Sequence, residues 1–135
     1  MRRGRGLVPV LLVVALLLGT LAAHAEKRIA LVIGNQGYKA QVGLLKNPHN
    51  DIGLVGAALQ SIGFEVLPPV KEARRAAILA AVRQLVGKLR AAGPGAVGFL
   101  YYSGHGAAET ETGVNYLIPI DAPEPGSVTF WNRSR

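Results

Sequence analysis

Ser103-Gly104-His105-Gly106 sets a hydroxyl and an imidazole among glycines, at the end of the run Val97-Gly98-Phe99-Leu100-Tyr101-Tyr102. An imidazole is the side chain best matched to exchanging a proton near neutral pH. The flanking glycines let the backbone turn sharply and leave His105 uncrowded. The apolar run, bounded upstream by Gly93-Pro94-Gly95, reads as a buried strand. A strand that stops at small, turn-forming residues suits an open α/β sheet, where ligands gather outside the carboxyl ends of the strands. On this pattern alone, an idle histidine in a glycine-rich loop fits the same residues.

Other chemistries find less support. Ser103, His105 and Asp121 invite a serine triad, but no Gly-x-Ser-x-Gly elbow accompanies them. His49, Asp51 and His105 invite zinc, yet no compact ligand motif is present. Gly34-Asn35-Gln36-Gly37 has neither the glycine spacing of a dinucleotide site nor the Gly-Lys-Ser/Thr of a phosphate loop. No carboxylate pair suggests glycoside chemistry. The reading therefore assigns no cofactor and no metal.

Several elements must position these residues. Ile29-Ala30-Leu31-Val32-Ile33 is continuously apolar, as expected of a central strand covered on both faces. Residues 38–47 read as loop, with Leu44 and Leu45 packing underneath. Asn47-Pro48 opens a helix, with Asn50 as an alternative cap. Ile52, Val55, Leu59 and Ile62 give it one buried face, and Gly63 stops it. Gly53 and Gly56 suit close packing on the sheet. Phe64-Glu65-Val66-Leu67 reads as a second strand ended by Pro68-Pro69, joined to the first by a right-handed crossover. Residues 73–89 form the clearest helix, with Ile78, Val82, Leu85 and Leu89 on one face and Leu79 and Val86 beside them. Residues 109–113 read as a polar connection, and Tyr116-Leu117-Ile118 as a short extended piece. The periodicity fails after Ala122, so residues 123–135 read as an irregular tail.

Four ordered blocks carry a family resemblance. They are Arg28-Ile29-Ala30-Leu31-Val32-Ile33-Gly34-Asn35 with Tyr38, Leu45-Lys46-Asn47-Pro48-His49-Asn50-Asp51, Tyr101-Tyr102-Ser103-Gly104-His105-Gly106, and Asn115-Tyr116-Leu117-Ile118-Pro119-Ile120-Asp121-Ala122. Together they resemble the caspase-like cysteine peptidases, most closely the bacterial and metacaspase-like branch. The resemblance implies a three-layer α/β fold over residues 26–122, a mostly parallel sheet with helices on both faces. It implies that His105 is the catalytic acid/base and that the backbone amide of Gly106 is the oxyanion-hole donor. It also implies a primary specificity pocket lined by Asp51 and Ser103, with cleavage after arginine or lysine. Plainer roles fit the same residues: Asp51 complements a helix dipole, Ser103 supplies a turn hydroxyl, and Gly106 permits the turn.

One departure outweighs these matches. The family nucleophile is a cysteine, and the chain contains none. In the caspase pattern the histidine precedes that cysteine by about 50 residues, which from His105 passes Arg135. The expectation is the amino-terminal portion of a cysteine endopeptidase, inactive as given. Its alternative is a non-catalytic module that binds a peptide or protein.

The 135 residues have single-domain length, and half are apolar. Arg2, Arg3 and Arg5 precede an apolar stretch over 7–21, and Ala23-His24-Ala25 fits a cleavage site. Residues 1–25 thus read as a signal peptide rather than an uncleaved anchor, and the protein as exported, periplasmic or secreted. Its removal takes three positive charges, lowering the formal net charge from +7 to +4. The remaining cations suit solvated helix faces rather than nucleic acid. Nothing later in the sequence reads as a membrane span. The expected partner is a peptide or protein substrate, with no oligomeric state implied. With the sheet's outer edge left bare, the expected behaviour is marginal stability or aggregation.

Overall fold

The computed structural model describes residues 26–109 and 111–123. The stretch read as a signal peptide, and all of the tail but Pro123, lie outside the described residues. Strand β1 (Arg28–Gly34) is the centre, and every residue after Arg28 in it is buried. On one side it pairs in parallel with β2 (Glu65–Val66) and, further along, with β3 (Val70–Lys71). On the other side β4 (Val97–Ser103) pairs with it in parallel over its whole length, from Arg28 opposite Val97 to Gly34 opposite Ser103.

Alternation along β1 divides the core, because successive side chains leave opposite faces of a strand. Ile29, Leu31 and Ile33 pack against Ala81, Leu85 and their neighbours on helix α2 (Arg75–Ala92). Ala30 and Val32 pack against Ile52 and Leu59 on helix α1 (Pro48–Ser61). The smaller side chains of the second face accommodate an α1 that carries Gly56 into the contact, beside Val66. The result is the expected α/β arrangement, with one helix on each face of a parallel sheet. A separate antiparallel ladder joins β5 (Gly106–Ala108) to β6 (Asn115–Leu117). No helix among the described residues is long and apolar enough to cross a membrane.

Several local expectations need correction. Pro68-Pro69 ends the second strand as expected, but the pairing on that edge of β1 continues in a strand the sequence did not show, β3. Proline lacks the N–H that a ladder needs, so the pair separates β2 from β3. Strand β4 is not fully buried: Phe99 and Leu100 are 41% and 43% exposed, since β1 covers only one of its edges. Ile62 lies past the end of α1 and is 59% exposed, and Leu44 projects into solvent at 71%. Leu45 does pack, against the cluster of Tyr38, Ile118 and Ala122. Gly53 faces solvent and only Gly56 meets the sheet. Leu79 and Val86 are exposed on α2.

Candidate functional site

The last register pair of β1 and β4 is Gly34 with Ser103, so both strands end at the same level. Asn35 and His105 therefore leave the sheet side by side. Asn35 is fully buried and fastens three chain ends together. Its N–H donates to Ser103 O at 2.9 Å. Its side-chain amide donates to Ala73 O at 3.1 Å and accepts from Ala73 N–H at 2.7 Å. The buried amide satisfies an N–H that would otherwise be stranded, whereas Ala73 O also accepts from Ile120 N–H at 3.0 Å.

His105 is held from two directions. Its Nε2 lies 2.7 Å from Gly43 O. A carbonyl oxygen only accepts, so Nε2 is the protonated nitrogen, and in the neutral ring Nδ1 keeps its lone pair. Gly43 presents that carbonyl from a turn in which Lys39 O accepts both Val42 N–H and Gly43 N–H. Gly43 has φ +99°, a conformation that favours glycine. On the other side the Tyr38 ring meets the imidazole edge-on, with centroids 4.7 Å apart, and the Tyr38 hydroxyl accepts His105 N–H at 3.1 Å.

Beneath the histidine lies a hydroxyl hub. Tyr38 and Tyr102 hydroxyls are 2.8 Å apart, and both lie within reach of Ile118 O, at 2.8 and 2.6 Å. Each phenol has one proton to donate, so Tyr102 serves Ile118 O while Tyr38 shares its proton between that carbonyl and its neighbour. Burial pushes the Tyr102 phenol well above its usual range, and its hydrogen bond with Tyr38 adds to the effect. Gly104 must stay bare, because a Cβ there would lie 2.6 and 2.7 Å from the hydroxyl oxygens of Tyr102 and Tyr38.

Ser103 and Asp51 meet directly: Ser103 Oγ donates to Asp51 Oδ2 at 2.8 Å, joining the end of β4 to the first turn of α1. This hydroxyl is therefore turned to a carboxylate. Asp121 accepts from Arg75 N–H at 3.1 Å, at the start of α2. No Ser103–His105–Asp121 triad is assembled.

Gly106 belongs to β5 rather than to an open loop. The bonds from Ile118 N–H to His105 O and from Glu109 N–H to Val114 O fix the bonded pairs of the ladder. Antiparallel pairs alternate, so Gly106, opposite Leu117, turns its N–H away from β6.

Glu72 was not singled out by the sequence. It takes a left-handed conformation, φ 49°, at the end of β3, and its carboxylate accepts from Gln36 N–H at 3.3 Å and Gly37 N–H at 3.0 Å. His49 Nε2 is 2.7 Å from the same carboxylate, a close ion-pair distance without hydrogen-bond alignment. Among the described residues no group of three or more His, Cys, Asp or Glu is placed to hold a metal ion.

Of the sequence-predicted residues, His105 and Gly106 are consecutive at the junction of β4 and β5, and Asp51 and Ser103 are hydrogen-bonded beside them. The backbone carbonyl of Gly43 and the hydroxyl of Tyr102 carried no signal of their role in the sequence. A family model, the caspase domain, matches residues 27–133. No curated protein matches the chain.

Proposed function

Since the chain belongs to the caspase-domain family, we propose that it carries the proton-handling half of a cysteine endopeptidase and lacks the attacking half. The observation that carries this reading is the Nε2 bond to Gly43 O, which leaves Nδ1 as the basic nitrogen at the carboxyl end of β4. In this reading His105 takes and returns the proton of the acyl-transfer steps. The outward Gly106 N–H receives the developing oxyanion. The chain has no cysteine, so it does not itself hydrolyse peptides by that route.

The paired Asp51 and Ser103 recognise the basic side chain of an arginine or lysine substrate, a cation the carboxylate is suited to hold. Titrating the chain with an arginine-terminated peptide tests this. Asp51→Asn keeps an acceptor for Ser103 but removes the charge, and weakens binding by about tenfold or more. Equal affinity in the two proteins counts against the pocket. The non-catalytic binding module remains the second reading, favoured by the lack of cysteine. It gives the same binding without any thiol-bearing continuation of the frame. Export behind residues 1–25 belongs to the proposal, and mass spectrometry of secreted protein beginning at Glu26 supports it. A retained Met1 contradicts it.

A further inference from the structure

We propose that Tyr38 is a positioning residue for His105, holding the histidine backbone through its hydroxyl so that the ring keeps Nε2 on Gly43 O and Nδ1 free. The proposal rests on the reading of His105 as the proton-handling group, but its geometry stands apart from any peptidase activity. Tyr38 is 2% exposed, so its ring is fixed by the packing around it. Its hydroxyl accepts His105 N–H, and its ring edge limits how the imidazole can rotate. The same loop that supplies Tyr38 supplies Gly43, and Leu45 N–H to Gln36 O closes that loop at 3.0 Å. One loop thus grips both the backbone and the ring of His105. Gly104 completes the grip by leaving space for the two hydroxyls. Without Tyr38's oxygen, His105 N–H loses its acceptor, and the backbone that aims the ring at Gly43 loosens.

The test uses the full chain labelled with nitrogen-15. Imidazole nitrogen shifts report the His105 tautomer, and amide exchange reports its N–H bond. Wild type shows the Nε2–H tautomer and a protected His105 amide. Tyr38→Phe keeps the ring and speeds that exchange by about tenfold, the scale of one lost hydrogen bond. It also relaxes the tautomer ratio about fivefold toward Nδ1–H. His49, bound at Glu72 instead, keeps its resonances and serves as the internal reference. Tyr102→Phe removes a hydroxyl that reaches His105 O at 3.3 Å, but it leaves the acceptor of His105 N–H and the Ile118 N–H bond to His105 O, so that amide stays protected. A folded Tyr38→Phe with unchanged exchange and tautomer overturns the proposal, as does equal loss of protection in Tyr102→Phe. Should Tyr38→Phe fail to fold, wild type alone decides. An Nδ1–H tautomer or an unprotected His105 amide there overturns it. None of these readouts depends on substrate, so their failure is separable from failure of the peptidase reading.

Discussion

The Tyr102 phenol, pushed up by burial and by its bond to Tyr38, makes the molecule sensitive to alkali. A phenol that ionises less readily when folded contributes stability that is complete below its unfolded value, near 10.0. Above that pH the unfolded chain loses the proton first, and the contribution declines. Thermal unfolding measured from pH 8 to 11 falls above about pH 10, and Tyr102→Phe flattens the fall. A wild-type profile as flat as the variant's contradicts this. At the same scale, the sequence singled out His105 by its glycine-rich setting, and Gly106, Ser103 and Asp51 through the family resemblance. It did not disclose Asn35 or Glu72 in their working roles, because these bind backbone groups far off in sequence. A bond from Asn35 to Ala73 follows from where β1 and the start of α2 lie, not from any local pattern.

Among the elements, β1, α1 and α2 follow from apolar runs and three-to-four spacing, and each lies close to its expected span. Elements that depend on pairing were less legible. Two-residue β3 has no periodicity to read, and β5 is built from Gly106, Ala107 and Ala108, which favour no strand. Each exists because a neighbouring strand supplies its partner. The junctions give the sharpest predictions. Asn35→Ala strands Ala73 N–H inside the fold, while Ala73 O keeps Ile120 N–H, and lowers unfolding free energy by about 2 kcal/mol, measured by urea titration. Arg74, at the cap position of α2, makes no side-chain cap bond, and Asp121 bonds Arg75 N–H instead. Asp121→Ala therefore costs about 1 kcal/mol, and Asp121→Asn restores part of it. A loss within 0.3 kcal/mol of zero, roughly the noise of such cycles, removes the cap. At the surface, the hydrogen bond from Lys88 holds the Glu65 carboxyl below its usual value. That contribution is present above the unfolded value and is lost as pH falls through the folded one. Because the pair is exposed, salt screens it strongly.

Among the described residues, one sheet carries the site at one end and an unpaired margin along β4 at one side. Phe99 and Leu100 remain exposed on β4 although their strand is fully paired to β1. Unpaired backbone groups beside apolar side chains favour edge-to-edge aggregation. Leu100→Lys places a charge on that margin and raises the soluble, monomeric fraction in sedimentation velocity. No change relative to wild type contradicts the edge as the cause. The site lies beyond the shared end of β1 and β4, past the last register pair Gly34–Ser103, so the substitution at Leu100 leaves the resonances of His105 in place.

The most direct measurement follows an arginine-containing peptide by NMR in the presence of the purified chain. The account predicts a complex without cleavage: shifts at the amides of Ser103 and Gly106, and a peptide intact throughout. Hydrolysis by this cysteine-free chain, abolished by His105→Ala, would contradict it.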